Sequence, residues 1–309
     1  MRTQDVSFYS EGQRITGTLH LPDGPGPFPV VVQNPGWLEL RCSAISERYH
    51  EGFVGAGYAV LGYDIRGFGD SEGERGRIRP QDQLEDVLAA IAYACAREDI
   101  VAERLGLFAL GGIAGGNAIY AAREDERVKA ICSMSIVADG ATWFREMRRE
   151  HEWVAFKQRV EANRVRRALE NQDELVDPRE DLMVATPERR ASQVRRSDDV
   201  RVGGDFWLSS AESLLRFRPI EVVDRLDCAV LLTGVEDDVV TPIDHAIAIY
   251  ERANAPKQLI RQVGVKHYES YSVNFEPLVG AFIDWFDRYC VDPRETGAAD
   301  RTEATVRTI

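Results

Sequence analysis

A glycine-crowded turn is the most informative stretch of this chain. It follows the apolar run Leu105–Leu110, reads Gly111-Gly-Ile-Ala-Gly-Gly116, and precedes a segment of helical character that starts at Asn117. None of its residues carries a hydroxyl, thiol or carboxyl group that could attack a carbonyl carbon. Its backbone N–H groups lie at the start of a helix, where they can stabilise negative charge on a substrate oxygen. The turn therefore predicts an anion-stabilising site that has no covalent nucleophile.

An acidic loop and a late histidine could supply acid–base chemistry. The run Glu236-Asp-Asp238 follows the apolar strand Cys228–Thr233, and His267 follows the apolar segment Gln258–Val263. A carboxylate beside an imidazole orients the ring and stabilises its charged form. The neutral ring can then act as a general base, which contributes about 10²–10⁴-fold to a rate. The proton could come from water, from a hydroxyl group, or from a carbon next to a carbonyl.

The elements that position these residues follow from the alternation of strand and helix patterns from about residue 28 onward. Such alternation predicts an α/β fold with a mostly parallel sheet and helices on both faces. Val6–Tyr9 and Arg14–Leu21 read as an opening antiparallel hairpin. The carboxyl ends of parallel strands gather their loops at one edge, so the glycine turn, the acidic loop and His267 should meet there.

The domain organisation is predicted from where the alternation stops. Residues 140–216 are rich in charge and helical in period, which indicates a helical cap inserted into a core formed by residues 1–139 and 217–292. Residues 293–309 are polar and lack periodicity, so we expect a disordered tail. A cap of this kind would cover the edge of the sheet where the candidate residues meet.

Composition excludes several classes of function. The chain has 309 residues and a net charge of −13, which makes nucleic acid and anionic membranes poor partners. It has no apolar run long enough to span a bilayer and no apolar core of a signal peptide near Met1, so we expect a cytoplasmic protein. Five widely spaced cysteines without a C-x-x-C pair indicate free thiols. We expect no metal and no cofactor and a small-molecule substrate, and a homodimer is compatible with the sequence.

Taken together, these segments resemble the α/β-hydrolase superfamily, in particular its dienelactone-hydrolase-like and acyl-peptidase-like branch with a helical cap. The resemblance covers roughly residues 5–139 and 217–290. The run Tyr63-Asp-Ile-Arg-Gly-Phe-Gly-Asp-Ser-Glu-Gly73 is its most family-specific part. The run Gln33-Asn-Pro-Gly-Trp37 corresponds to the family's oxyanion loop. The resemblance thus implies oxyanion donors at the N–H of Trp37 or Leu38 and, from the elbow, near Gly115.

The same resemblance implies a triad in the order Ser…Asp…His. It assigns the histidine to His267 and the acid to Asp237, with Asp238 as a one-residue alternative and Glu236 as a third. The nucleophile position falls on the glycine turn, where the possible alignments place Ile113, Ala114, Gly112 or Gly111. All four are chemically inert, so the chain has the scaffold of a hydrolase without the atom that forms an acyl-enzyme.

The resemblance also suggests what lines the pocket. Ile113 or Ala114 would form an apolar floor under the substrate, and Asp139, at the end of the sixth strand, would face the same cleft or cap the first cap helix. Trp143, Arg145 and Trp207 would line the roof or pack between cap helices.

Three functions are compatible with these residues. The first is an α/β-hydrolase-fold enzyme that uses the His–Asp pair on a small, rather apolar carbonyl or ester-like substrate, as a lyase, a cyclase or a hydrolase that uses water directly. The second is an inactive pseudo-hydrolase that binds a small ligand. The third is an ordinary serine esterase or peptidase that carries a substitution at its nucleophile.

Overall fold

The computed structural model describes residues 1–184, 186–187, 201, 204–254, 256–291 and 303–309. Its strands, in chain order, are β1 (Arg2–Ser10), β2 (Gln13–Leu21), β3 (Phe28–Asn34), β4 (Ala59–Tyr63), β5 (Ile100–Leu110), β6 (Val128–Met134), β7 (Leu175–Val176), β8 (Phe206–Trp207), β9 (Ala229–Val235), β10 (Lys257–Gln262) and β11 (Ala304–Thr308).

Most of these strands form one twisted sheet with the order β1-β2-β4-β3-β5-β6-β9-β10-β11. β1 pairs antiparallel with β2, as the opening hairpin predicts, and β2 also pairs antiparallel with β4. The remaining neighbours, from β4 to β11, pair parallel. The predicted fold class, an α/β fold with a mostly parallel central sheet, is confirmed.

Helices cover both faces of the sheet. In chain order they are α1 (Ala44–Gly55), α2 (Pro80–Cys95), α3 (Gly112–Glu124), α4 (Gly140–Glu146), α5 (Glu150–Glu170), α6 (Ser209–Leu215), α7 (Ile243–Arg252), α8 (His267–Ser270) and α9 (Phe275–Cys290). α1 and α9 pack on one face, in a core that includes Phe53, Phe108 and Phe282. α2, α3 and α7 pack on the other face, where Ile91 and Ile119 are fully buried. Because both faces are covered, the central strands are apolar throughout rather than alternating.

Two ion pairs hold the loop that follows β4. The carboxylate of Asp64 is fully buried and accepts hydrogen bonds from the backbone N–H groups of Arg41, at 2.9 Å, and Asp70, at 3.1 Å. It also pairs with the guanidinium of Arg41, while Arg66 pairs with Asp86 at 2.8 Å. The Asp64 pair ties this loop to the end of the loop that follows β3, and so fixes the backbone on one side of the candidate site.

The interval between β6 and β9 includes residues 140–216, for which the sequence predicts a helical cap. It contains α4, α5, α6 and the short antiparallel pair of β7 and β8. Residues 185, 188–200 and 202–203 of this interval lie outside the described part of the chain. Among the described helices, none combines the length and apolar character that a membrane span requires.

The expectation of a disordered tail over residues 293–309 is wrong for its last seven residues. β11 adds to the edge of the sheet, parallel to β10, and Tyr289 donates a hydrogen bond to Glu303 at 3.0 Å. Thr305, Val306 and Thr308 are β-branched residues that suit a strand, although they show no clear alternation of polarity. Residues 293–302 lie outside the described part of the chain.

Gly106 and Gly280 offer a test of the packing between β5 and α9. A Cβ atom at Gly106 would lie 2.5 Å from the ring of Phe286, whereas nothing lies within 4 Å of a Cβ at Gly280 in the middle of α9. We expect Gly106→Ala to lower the free energy of unfolding by about 1–3 kcal/mol through overpacking. Gly280→Ala, the matched control, should raise it by about 0.4–1 kcal/mol. Urea unfolding measures both, and equal effects of the two substitutions would contradict the packing described here.

Candidate active site

Asp238 and His267 form a buried pair at the carboxyl edge of the sheet. Asp238 lies in the loop after β9, and His267 opens α8 after β10. Oδ2 of Asp238 is 2.6 Å from Nδ1 of His267, and both residues are less than a tenth exposed. Oδ1 of Asp238 accepts hydrogen bonds from the backbone N–H groups of Val240, at 2.7 Å, and Thr241, at 2.9 Å. The carboxylate is therefore fixed by its own turn, and it holds the imidazole so that Nε2 is available for chemistry.

The structure corrects the choice of acid. Asp237, which the resemblance favours, is exposed, and its one-residue alternative Asp238 is the partner of His267. Glu236 is also excluded as the partner because it pairs with Arg261 on the neighbouring strand. The choice of Asp238 over Asp237 follows from the local turn. An aspartate that accepts from amides two and three residues later forms an Asx-type turn, which draws Asp238 inward and leaves Asp237 facing solvent.

A tyrosine lies in front of the free nitrogen of His267. The hydroxyl of Tyr271 is 3.4 Å from Nε2, one helical turn after the histidine. Burial raises the pKa of Tyr271, so its phenol stays protonated at neutral pH. Tyr271 is thus a neutral hydroxyl that can hydrogen-bond to the base or to a substrate. Our sequence analysis missed it, although the spacing of four residues from His267 was a usable signal.

The glycine turn between β5 and α3 has the form of a nucleophile elbow without its nucleophile. Gly111 takes the positive φ of the turn, 95°, and α3 begins at Gly112 with no side chain capping its first amides. Those first amides have no acceptor within the helix, so those of Gly112 and Ile113 can receive an oxyanion. Gly115 cannot, because its N–H donates to the carbonyl oxygen of Gly111 at 3.0 Å, and the expectation of an oxyanion donor there is wrong.

The side chains of the turn differ in where they lie. Gly112 and Ile113 line the same cavity as His267, while Ala114 is not among the lining residues. The carbonyl oxygen of Ala114 instead accepts a hydrogen bond from the side-chain amide of Asn34 at 2.6 Å, inside the core. Of the alignments that the sequence allows, the one with Ala114 at the nucleophile position therefore disagrees with the cavity lining, which includes Gly111, Gly112 and Ile113.

The loop after β3 forms the opposite wall. Trp37 and Leu38, the expected oxyanion residues, both line the cavity. Leu38 has a φ of 61°, which a branched side chain rarely adopts and which indicates a backbone held under strain at this site. The amide of Glu39 is already used, since it donates to the carbonyl oxygen of Gly36 at 3.2 Å.

Together these elements enclose a cavity of about 410 Å³. That volume lies within the usual range for small-molecule sites. Its walls are mainly apolar, with Trp37, Leu38, Ile113, Trp143, Met183 and Val240 among the lining residues. Trp143, from the inserted segment, donates from its indole nitrogen to the carbonyl oxygen of Val240 at 2.8 Å and packs edge-on against Trp37. Trp143, expected at the roof of the pocket or between cap helices, thus lies on the wall of this cavity.

The other pocket residues expected from the sequence lie elsewhere. Asp139 caps α4 by accepting from the N–H of Thr142 at 2.7 Å, which is the second of its two expected roles. Arg145 donates to the carbonyl oxygen of Arg148 at 3.0 Å outside the cavity. Trp207 belongs to the β7–β8 pair and lines a separate, polar surface pocket. The polarity of Asp139 and Arg145 suits them to helix ends rather than to an apolar cavity.

Several polar side chains on the cavity wall were not among the expected site residues, including those of Glu39, Cys42, Arg179 and Arg201. Glu39 lies between Leu38 and Leu40, and Cys42 presents an exposed thiol two residues beyond Leu40. Glu39 accepts hydrogen bonds from the hydroxyls of Ser43, at 2.7 Å, and Ser46, at 2.8 Å. Within the described residues, no cluster of histidine, cysteine, aspartate or glutamate side chains has an arrangement that could hold a metal ion.

Comparisons with known proteins agree with this architecture. The family model of the X-Pro dipeptidyl-peptidases (S15 family) matches residues 11–267. An uncharacterized 31.7 kDa protein of Escherichia coli, from the traX-finO intergenic region, is 28% identical over 290 residues, which cover 91% of this chain and 97% of that protein.

Two solved structures share the fold. The structure of DcsB in complex with its substrate analogue matches with a TM-score of 0.81 at 20% identity and covers 94% of this chain and 100% of that one. The alpha/beta hydrolase GrgF from Penicillium sp. sh18 matches with a TM-score of 0.77 at 19% identity, over 94% of this chain and 99% of that one.

The neighbouring aspartates give a direct test of the pairing. In a 2.6 Å contact, the Nδ1 proton of His267 should give a strongly downfield ¹H NMR signal. We expect Asp238→Asn to abolish or greatly shift this signal, because it removes the charged acceptor, and Asp237→Asn to leave it unchanged. Loss of the signal in the Asp237 variant alone would contradict the assignment.

Proposed function

The chain belongs to the X-Pro dipeptidyl-peptidase (S15) family within the α/β-hydrolase superfamily, and from this premise we propose that it hydrolyses small, apolar ester-like substrates by direct attack of water, with His267 as the general base. The observation that carries the proposal is the buried Asp238–His267 pair, which faces a cavity whose elbow offers no nucleophile. Where the family fold usually has a serine oxygen, a water molecule next to the imidazole would be the attacking group.

The protein has a group available for each step of this reaction. Nε2 of His267 takes a proton from water, and Asp238 stabilises the imidazolium that forms. The water oxygen attacks the carbonyl carbon, and the developing oxyanion lies between the amides of the elbow and those of the loop after β3. Backbone donors of this kind need no side chain, so the loss of the serine does not impair them.

The cavity supports the choice of substrate. Its volume of about 410 Å³ suits a small molecule, and its tryptophan and aliphatic walls favour an apolar one. Apolar walls also exclude bulk water, which strengthens the electrostatic interactions of the imidazole and of the oxyanion donors. A lyase or a cyclase would use His267 to remove a proton from a carbon or from a hydroxyl group of its substrate. Activity assays with substrates of each class distinguish these variants.

The geometry favours an enzyme over a ligand-binding protein. A receptor needs an apolar cavity, but it has no need for a carboxylate that is fixed by two amides and held 2.6 Å from an imidazole. The turn also favours a site that works without a nucleophile, since its positive φ falls on Gly111 and Ile113 lies within the helical α3. In the usual elbow the strained residue is the serine itself.

Replacement of the base tests the proposal. We expect wild-type protein to hydrolyse p-nitrophenyl butyrate and His267→Gln to reduce kcat by about 10²–10⁴-fold, the contribution of a general base. His151→Gln is the matched control, because His151 is exposed on α5. Equal rates for wild type and His267→Gln, measured by p-nitrophenolate release, would exclude the histidine as the base.

Restoring a nucleophile tests the geometry of the elbow. Ile113 lines the cavity with His267 and Ala114 does not, so a serine at position 113 should reach the base. We expect Ile113→Ser to react with a fluorophosphonate probe, while Ala114→Ser and the wild type stay unlabelled. Labelling of the Ala114 variant alone, seen by intact-protein mass spectrometry, would show that the elbow has the other alignment.

A further inference from the structure

Glu39 is a carboxyl group inside the candidate active site that the hydrolysis by water described above leaves unused. It lines the same cavity as His267 and lies in the loop that also carries Trp37 and Leu38. Its neighbours in sequence, Leu38 and Leu40, are buried and apolar. A carboxyl group in such surroundings is costly unless its hydrogen bonds are satisfied, so its partners show what it is positioned to do.

One carboxyl oxygen of Glu39 is held by a chain of buried polar groups. Oε1 accepts from the hydroxyls of Ser43 and Ser46, at 2.7 and 2.8 Å. The Ser46 hydroxyl in turn accepts from the side-chain amide of Gln33 at 2.7 Å, and Gln33 contacts Nε2 of His50. Gln33, Ser46 and His50 are each at most 1% exposed. This arrangement fixes the direction of the Glu39 side chain from beneath the cavity floor.

The other oxygen lies where the oxyanion loop meets the elbow. A Cβ atom at Gly36 would be 3.2 Å from Oε2 of Glu39 and 2.1 Å from the carbonyl oxygen of Leu110, the last residue of β5. Oε2 is therefore beside the backbone that precedes the Trp37 and Leu38 amides. The Gly36 amide also donates a hydrogen bond to this carboxyl group, so the carboxyl is held against the loop that the resemblance assigns to the oxyanion.

The surroundings favour the neutral form of this carboxyl. Burial raises the pKa of Glu39, against the weaker lowering effect of the hydrogen bonds from Ser43, Ser46 and the Gly36 amide. Three nearby titratable groups are neutral as well, whereas the cavity wall also carries the guanidinium groups of Arg179 and Arg201. Burial raises the pKa of Tyr49, on α1, and of Tyr271, which follows α8, and it lowers the pKa of His50, on α1, to about 3. His267 lies across the cavity.

We propose that Glu39 is a second catalytic residue, which gives its proton to the substrate carbonyl oxygen while His267 takes a proton from the attacking water. This inference rests on the proposed function and adds the acid partner of the base. A pair of groups in which one is held neutral and acidic and the other is basic matches the division of labour that acid–base enzymes use. The precedent for a neutral carboxyl as a hydrogen-bond donor to an oxyanion is ketosteroid isomerase, an unrelated enzyme.

The proton balance closes without any other reactant. As a C–O bond forms between water and the carbonyl carbon, the carbonyl π bond breaks, its oxygen takes the Glu39 proton, and His267 becomes protonated. The neutral tetrahedral intermediate then collapses. Its hydroxyl returns the proton to the Glu39 carboxylate, the carbonyl re-forms, and the bond to the leaving group breaks as His267 donates its proton to that group. Both residues end in their starting states.

Infrared difference spectroscopy on the full chain tests the contact without any turnover. At pH 7 we expect a protonated-carboxyl C=O band that Glu39→Gln removes and that Glu47→Gln, an exposed glutamate on the first turn of α1, leaves in place. Acetophenone, a carbonyl compound without a leaving group, should shift this band through a hydrogen bond. No band difference between wild type and Glu39→Gln, or a band that acetophenone leaves unmoved, would overturn the proposal.

The kinetics separate a catalytic carboxyl from a merely structural one. With p-nitrophenyl butyrate we expect Glu39→Ala to lower kcat by about 10²–10³-fold, the cost of losing one oxyanion donor, with little change in KM. Glu39→Gln keeps an N–H donor and should lose less. Wild-type activity should fall as pH rises through the raised pKa of Glu39, and this alkaline fall should be absent from Glu39→Gln. A wild-type pH profile in Glu39→Gln would indicate a structural role.

Different results would contradict the proposed hydrolysis and the proposed role of Glu39. A wild-type protein that hydrolyses no ester would contradict the proposed function, while the infrared band and its response to acetophenone would still decide whether Glu39 contacts a carbonyl ligand. Active wild-type protein with an unchanged Glu39→Gln variant would contradict the role of Glu39 alone. Thermal unfolding of each variant shows that any loss of rate does not come from loss of the fold.

Discussion

The close approach of Gly36 to the end of β5 is the constraint on which the candidate site depends. A side chain at position 36 would place its Cβ atom 2.1 Å from the carbonyl oxygen of Leu110, so only glycine allows the two backbones to meet. This contact brings the loop after β3 against the turn that starts α3. Residues of both segments then line one cavity, Glu39 from the loop after β3 and Ile113 from the start of α3.

The candidate site combines a histidine that is fixed by a carboxylate with an elbow that carries no nucleophilic side chain. In the usual arrangement the histidine nitrogen faces a serine oxygen, whereas here Nε2 of His267 faces the hydroxyl of Tyr271 and an apolar wall that includes Ile113. The hydroxyl of Tyr271 is held in its neutral form by burial, so it is poorly suited to attack. Such a site favours proton transfer to and from a bound substrate and water over covalent chemistry.

The sequence was sufficient to predict the fold and to single out His267, and insufficient to identify the carboxyl groups that lie at the site. Alternating patterns predict the sheet, and the order of the chain predicts His267. The choice between Asp237 and Asp238 depends on which carboxylate accepts the amides of its own turn, and spacing alone does not resolve a difference of one residue. Glu39 could not be found because its partner Ser46, and Gln33, which donates to Ser46, come together with it only in three dimensions.

Rapid-quench kinetics with intact-protein mass spectrometry would test the central claim, that this site acts without a covalent intermediate, most directly. Wild-type protein is mixed with excess p-nitrophenyl butyrate and quenched during the first turnovers. The account predicts release of p-nitrophenolate in a single phase, without a burst, from protein whose mass stays unchanged throughout. A burst accompanied by a butyryl adduct, on Cys42 or any other side chain, would contradict it and identify the missing nucleophile.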